Sequence, residues 1–412
     1  LRIANGYNSW RKYHWRINNI LERRLMAGFS STDNMVNNMS ALNKRASTYF
    51  SKQMNPTAAA VANEWHTLFR GGGNPQADAI FDVGTNLQFQ SVYDTNASAG
   101  CIQHGGNIGA AGDDFKTLVS GYAVSAAATV VPATLVLVDM LAFHRVTTVT
   151  TTSAQNTVNT NTFTASSSSG LLLTFANDWN TYQKVRFTTT TTLPTGLSLN
   201  TDYWLVRVSA TTARVATSYA NAIAGTVIAF TDAGTGTHTL TCRLPRYSDG
   251  AGVETIIFNP AATALGAGTP NLTLGYTNSA GTASRATPAL PSPPIGKTAA
   301  TNSHILYSGA TGAGKFGPFV PKQGSDAGVQ SIQTIQNSTS YVSGTYAVGY
   351  CVPLAEFPVQ VLGQATMMDF TQAMMPTFSR VYDGAALYFL LKSGVATPAN
   401  SAFDGKLNFG WS

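Results

Sequence analysis

Charge is scarce in this 412-residue chain: 11% of its residues are Asp, Glu, Lys or Arg, against about 25% in an average soluble domain. The surface must therefore be neutral and hydroxylated, or covered by neighbours. Cysteine is nearly absent. Cys101, Cys242 and Cys351 lie more than 100 residues apart, which fits neither a disulfide framework nor a clustered zinc site and predicts buried free thiols. The histidines His14, His66, His104, His144, His238 and His304 are equally scattered, with no pair at the spacing that presents two metal ligands from one helix. No long hydrophobic run is present either. The most apolar stretch, Ala123 to Phe143, is broken by Ser125, Thr129, Pro132, Thr134 and Asp139, so it is a poor membrane span and reads as buried strand. The opening LRIANGYNSWRKYHWR lacks the apolar core of a secretory signal, so a missing initiator or a processed chain is expected. No metal, cofactor or membrane partner is expected.

What charge there is has been separated. The first 70 residues carry ten Lys or Arg and three acids, Glu22, Asp33 and Glu64, which puts the whole basic excess in one arm. Ile17, Ile20, Leu21 and Leu25 fall at helical spacing before Gly28. A second helix is predicted from Asp33, with Val36, Met39, Leu42, Ala46 and Tyr49 on one stripe, and a third from Asn55 and Pro56 to Gly71. Beyond Asn74, short apolar or alternating runs such as Leu135 to Leu141 and Ala347 to Leu354, bounded by Gly, Asn, Pro and Ser, have the pattern of strands. The expected fold is mainly β with an N-terminal helical arm: a basic helical arm over 1–73, a β-sandwich or barrel body over 74–145 plus 244–412, and a small inserted β-sandwich-like module over 146–243. The Ser/Thr-rich stretch Thr147 to Ser169 and the Pro-rich stretch Pro288 to Lys297 read as linkers or surface loops.

The module has a characteristic order: KVRF, then LPTGLSLNTDYWLVRV, then ARVATSYANAIAG, then IAFTDAGTGTHTL. This order resembles a β module that recurs in structural proteins of tailed bacteriophages, over about 70 of the 412 residues. The flanking LVDMLAFHRV and LPRYSDGAGVETI also look like phage virion sequence. The resemblance implies a non-catalytic virion protein, assembled in the host cytoplasm, with other virion proteins as partners, the major capsid protein first among them, and self-association as a homo-oligomer.

The motifs that could carry chemistry have plainer readings. GATGAGK, Gly309 to Lys315, has the glycine and lysine spacing of a phosphate-binding loop. Phe316, Gly317 and Pro318 follow it, so both the metal-binding hydroxyl and the helix are missing. Asp113 with Asp114 reads as a solvated turn, and Asp249-Gly250 and Asp383-Gly384 as turn dipeptides. The most informative constellation is Trp10, Arg11, Lys12, Tyr13, His14, Trp15 and Arg16, followed by Arg23 and Arg24. Rings and guanidinium groups are what interface cores select, so anchoring to a protein partner is favoured over stacking on nucleic acid. The expected function is a capsid-associated decoration or minor capsid protein that acts by packing. The alternative is a neck, tail or fibre protein whose module recognises a host-surface glycan or receptor through Trp179, Tyr182, Tyr203 and Trp204, although rings of this kind are more often core.

Overall fold

A computed structural model describes residues 37–54, 60–82, 86–95, 100–105, 115–125, 130–167, 172–175, 179–260, 265–266, 268–291, 305, 317–370 and 380–411. The protein is mostly β, built from three sheets and one closed barrel. The spine is the strand Ala133–Val146. Its sequence ATLVLVDMLAFHRV is nearly continuous in apolar residues, and all but two of its positions are buried, as a strand covered on both faces requires. It pairs along its length with Tyr346–Val359. On its other edge it pairs with Leu387–Ser393 and then with Phe89–Ser91. Glu254–Phe258 and Trp65–Thr67 complete this sheet at its two sides.

A second sheet runs in the order Thr366–Asp369, Lys116–Val124, Ala402–Trp411, Arg45–Gln53, Gly73–Asn74. Ala402–Trp411 alternates along most of its length, with Phe403, Leu407 and Phe409 inward. The two sheets meet through Phe50 against Phe389, 4.6 Å between centroids, and through Phe357 edge-on at 5.9 Å to Phe370, the residue that follows Thr366–Asp369. Phe50 lies directly opposite Gly405 in the ladder. A Cβ at Gly405 would come within 2.4 Å of that ring and 2.1 Å of the Tyr122 carbonyl oxygen, so the glycine is the space the ring needs. A third sheet centres on Asn271–Asn278 and Val329–Asn337, with Gln155–Asn156 at one edge.

The barrel closes in the order Lys184–Thr189, Asp202–Arg207, Thr212–Ala216, Leu172–Thr174, Thr160–Ser166, His238–Cys242. Phe163, Leu173, Val185, Phe187, Tyr203, Leu205, Val215 and Leu240 are buried, the inward residues expected where alternation lines a small barrel. The LPTGL turn is closed by Leu197 N–H donating to the Pro194 carbonyl. Gly196 takes the positive φ of +98° that this turn needs at its third position. A short helix, Tyr219–Ile223, is capped by the Ser218 hydroxyl on the Asn221 amide. The barrel's first and last strands are neighbours: Thr160 is paired with Thr241, and Cys242 N–H donates to the Asn159 carbonyl at 2.7 Å.

Several sequence expectations fail here for physical reasons. The helical arm is not borne out in its described part. Residues 37–40 are helical, but Arg45–Gln53 is a strand whose nine residues all pair with Ala402–Trp411. Ala46, Thr48, Phe50 and Lys52 point inward at a period of two, so the helical stripe through Ala46 and Tyr49 is a coincidence of spacing that a full ladder overrides. Trp65–Thr67, inside the third expected helix, is also a strand. Of the Ser/Thr-rich stretch read as a linker, Gln155–Asn156 and Thr160–Ser166 are strands, since threonine is β-branched and fits a pleated surface. Ala123 to Phe143 spans parts of two strands, Lys116–Val124 and Ala133–Val146, rather than one. Cys101, Cys242 and Cys351 are buried free thiols, as their spacing predicts.

Two buried histidines set an acid limit on the fold, and one of them, His144, helps to join the central and third sheets. Ile332 N–H donates to the Tyr350 hydroxyl at 2.7 Å, and that hydroxyl lies 3.2 Å from His144 Nε2. His144 Nδ1 is 3.0 Å from the Leu87 carbonyl. This chain of partners assigns the proton to Nδ1 and leaves Nε2 as acceptor, a neutral ring. Burial holds the His144 pKa down to about 4. His104 is held down to about 3, by burial first and then by the Lys116 ammonium 3.1 Å from its Nδ1. Both values lie below the unfolded value near 6.5, so the unfolded chain binds the extra protons. Stability is then fully present above about pH 6.5 and falls as the pH drops toward the folded values, by about 2 kcal/mol per histidine at pH 5. Urea midpoints measured at pH 7.5 and pH 5 should show this fall, and His144→Gln should reduce its size. A pH-independent midpoint would contradict it.

Candidate functional site

The arm residues Trp10, Arg11, Lys12, Tyr13, Trp15, Arg16, Arg23 and Arg24 lie outside the described residues, as do Gly309 to Lys315 and the Asp113-Asp114 pair. The four rings of the module are described, and they do not form one open patch. Trp179 is buried and stacked on Phe175 at 5.5 Å. Tyr203 is buried in the barrel, its hydroxyl accepting the Ser198 amide at 2.8 Å. Tyr182 and Trp204 are half-buried, and both face the body at the joint between barrel and sheets.

That joint is the most elaborate polar site in the described structure. It starts where Phe89–Ser91 leaves the central sheet. Ser91 N–H donates to Gln183 Oε1 at 3.1 Å, and Asn180 reciprocates with its amide on Gln90 Oε1 at 3.1 Å and its side-chain amide on the Ser91 carbonyl at 3.3 Å. Gln183 is fully buried. Two residues on, Tyr93 lies flat on Tyr219, 4.3 Å between centroids, with Tyr182 edge-on to both. Trp204 Nε1 donates to the Tyr93 hydroxyl at 3.0 Å. Burial pushes the Tyr93 and Tyr219 phenols up, so both stay neutral donors and acceptors. Lys184 donates to Ser248 Oγ at 2.6 Å, pairs with Asp202 at 2.9 Å and lies over the Trp204 ring at 5.4 Å. Burial would raise the Asp202 carboxyl, but its hydrogen bonds from Arg186 and Lys184 hold it below the usual carboxylate range.

Beneath the tyrosines sits a buried ion pair. Arg246 grips Asp139 with Nε on Oδ2 at 2.9 Å and Nη2 on Oδ1 at 2.6 Å. Its remaining donors reach the carbonyls of Val92, Gly384 and Met140 at 2.9 to 3.2 Å. Asp139 also accepts the Ala386 amide at 3.1 Å, and the guanidinium lies 5.2 Å from the Tyr93 ring centre. Burial opposes the charge on Arg246, but the Asp139 carboxylate raises its pKa above the ordinary value. The planar fork of arginine suits such a bidentate grip, which a lysine could not reproduce. Arg246 leaves the barrel's exit segment and meets the spine strand, so one side chain fixes where the barrel joins the body.

Sequence reasoning missed this hub. Arg246 sits in LPRYSDG, which reads as a turn, and its partner is 107 residues away. The available signal was Asp139 itself, a lone acid inside an apolar run, which requires a cation once the run is buried. The turn reading of Asp249-Gly250 holds, with Gly250 at φ +79° and Asp249 Oδ1 accepting the Ala251 amide at 3.1 Å. Asp383 precedes Gly384 at φ +76° and in addition pairs with the buried Lys116 at 3.1 Å.

On the outer surface, Thr366–Asp369 is an edge strand paired on one side with Lys116–Val124. Met367 on it is 70% exposed, and the preceding turn exposes Val361 and Leu362. Among the described residues no helix is long and apolar enough to cross a membrane, and no group of His, Cys, Asp or Glu is arranged to hold a metal ion.

No protein-family model and no curated protein matches the chain. Among solved structures, the crystal structure of the infectious bursal disease virus VP2 subviral particle aligns with 90% of this chain and 81% of that one. Its identity is 8% and its TM-score 0.16, a similarity too slight to bear on fold or function.

Proposed function

We propose that this chain is a structural protein of a tailed-phage virion, a capsid-associated decoration or minor capsid component that works by packing against the major capsid protein and against further copies of itself. The observation that carries the reading is the agreement between resemblance and architecture. The segment whose strand order resembles a phage-appended module forms a closed barrel with adjacent ends, mounted on a β body by a dedicated seam. A unit inserted in a host fold must enter and leave at neighbouring positions. Low charge supports the same reading, because unpaired ions at an interface core are costly. The strand Thr366–Asp369, at the edge of its sheet among the described residues, exposes Met367 beside Val361 and Leu362, apolar surface of the kind a packing contact uses. Repeated weak contacts of this kind add through effective concentration.

The basic, aromatic arm is the second contact element. Deleting residues 1–16 is expected to leave the far-ultraviolet circular dichroism of the β body unchanged and to reduce incorporation into particles. Release of the intact chain from particles should increase with salt as ionic pairs are screened. Incorporation of the truncated chain at the normal level would contradict the role of the arm.

A further inference from the structure

The second sheet buries one face and turns the other outward. Ser47, Tyr49 and Ser51 alternate outward along Arg45–Gln53, and Asp404, Lys406 and Asn408 along Ala402–Trp411. The ladders align these residues into rows that run across the strands. Tyr49, Lys406, Tyr122 and Met367 form one row, each directly opposite the next. Ser51, Asp404 and Val124 form the row on one side of it. That row ends beside the turn that exposes Val361 and Leu362, which is tied down by Gly363 N–H on the Ser125 carbonyl at 2.8 Å.

The row on the other side is satisfied within itself: Asn408 Oδ1 accepts the Ser47 hydroxyl at 2.8 Å, and Asn408 Nδ2 donates to Ser120 Oγ at 3.0 Å. The middle row is not. Tyr49 is 62% exposed and Met367 70%, and Lys406 has the Tyr49 ring 5.2 Å away as its neighbour. Among the described residues neither Lys406 nor Asp404 has a salt bridge. The two stand on one face two residues apart, about 7 Å along the strand.

We propose that this face packs against the same face of a second copy of the chain, about a two-fold axis that crosses the strands over Gly405. Such an axis lays Ala402–Trp411 of the second copy over its own counterpart, running the opposite way, in a self-complementary contact. Lys406 of each copy then faces Asp404 of the other, and both ion pairs form at once. Tyr122 faces Val124 of the second copy, and Met367 faces its Val361–Leu362 turn. An axis along the row of Tyr49 would set Lys406 against Lys406, so the charge pattern selects the register. Packed sheets stand about 10 Å apart, a gap that a lysine and an aspartate span together. Their crossing angle of about 30° displaces least the pairs beside the axis. A nucleic acid is a poor fit, because Asp404 and Asp369 outnumber Lys406 on these rows. Four strands about 4.8 Å apart make a patch roughly 15–20 Å across, less than the ~800 Å² per partner of a standard interface. The pairing is therefore weak in a single dimer and adds up in an array. The inference rests on the packing role proposed above and names the face and its occupant. Its test needs no particle, so pairing can fail while the chain remains a virion protein.

The test is sedimentation velocity of the full chain over a concentration series at low and high salt. The wild type should dimerise reversibly, and less so as salt screens the pairs. Lys406→Asp sets acids against acids, and Asp404→Lys sets lysines against lysines, so each variant alone should dimerise at least about tenfold more weakly. Mixed in equal amounts, the two variants should dimerise with each other as the wild type does, because every facing pair is again of opposite charge. Circular dichroism checks the folding of each. A wild type that stays monomeric throughout would overturn the proposal and leave the face to another protein or to the chain's own N-terminal segment. Dimerisation that neither variant weakens would place the contact elsewhere, and a loss that mixing does not restore would rule out this register; either result overturns the proposal.

Discussion

Replacing Arg246 by methionine is expected to lower the stability of the whole chain by about 3–5 kcal/mol, the range for breaking a fully buried ion pair from one side. The size follows from what is left behind. Asp139 would keep the Ala386 amide but lose both guanidinium bonds, and the carbonyls of Val92, Gly384 and Met140 would each lose the guanidinium as a donor. Since a domain's net stability is only about 5–15 kcal/mol, the variant should unfold at much lower denaturant or accumulate as insoluble protein. The pair replaced together, Arg246→Met with Asp139→Leu, should be less destabilised than Arg246→Met alone, because no uncompensated charge then remains. Urea unfolding of the wild type, Arg246→Met, Asp139→Leu and the double variant measures this. Additive losses would show that the two residues act separately, against the geometry of the hub.

Excising the barrel tests the architecture on a larger scale. Joining Asn159 to Cys242 through a short Gly/Ser linker removes six strands that pair with one another around a closed ring and leaves every ladder of the three sheets intact. The junction is already made in space, since Cys242 N–H donates to the Asn159 carbonyl, and closing a short loop there costs little entropy. The body is expected to remain a cooperatively folding β protein with a lower melting temperature, because Tyr93, Gln90 and Ser91 lose their partners on the barrel. The peptide 160–242, made alone, is expected to fold, because its core is its own. A body that is insoluble together with an unfolded isolated barrel would mean that the boundary cuts one continuous domain.

Parts of this were legible in the sequence because the relevant physics is local. Leu135 to Leu141 and Ala347 to Leu354 could only be buried strands, and they pair with each other in the central sheet. The LPTGL turn was marked by Gly196 at the position that needs a positive φ. What was not legible depends on partners distant in the chain. Arg45–Gln53 has a helical stripe by spacing, and only the ladder of Ala402–Trp411, over 350 residues away, makes it a strand. The seat of Tyr182 and Trp204 against the body was not legible because nothing near them in sequence announces Tyr93.

We propose that the chain works as a packed component of a tailed-phage particle, and electron cryomicroscopy of virus-like particles purified from the source of the gene tests that proposal. The account predicts density for the three-sheet body with its barrel, repeated at symmetry-related positions on the capsid and in contact with the major capsid protein. Purified particles that contain none of this chain, or that carry it only at a site with no contact to other virion proteins, would contradict it.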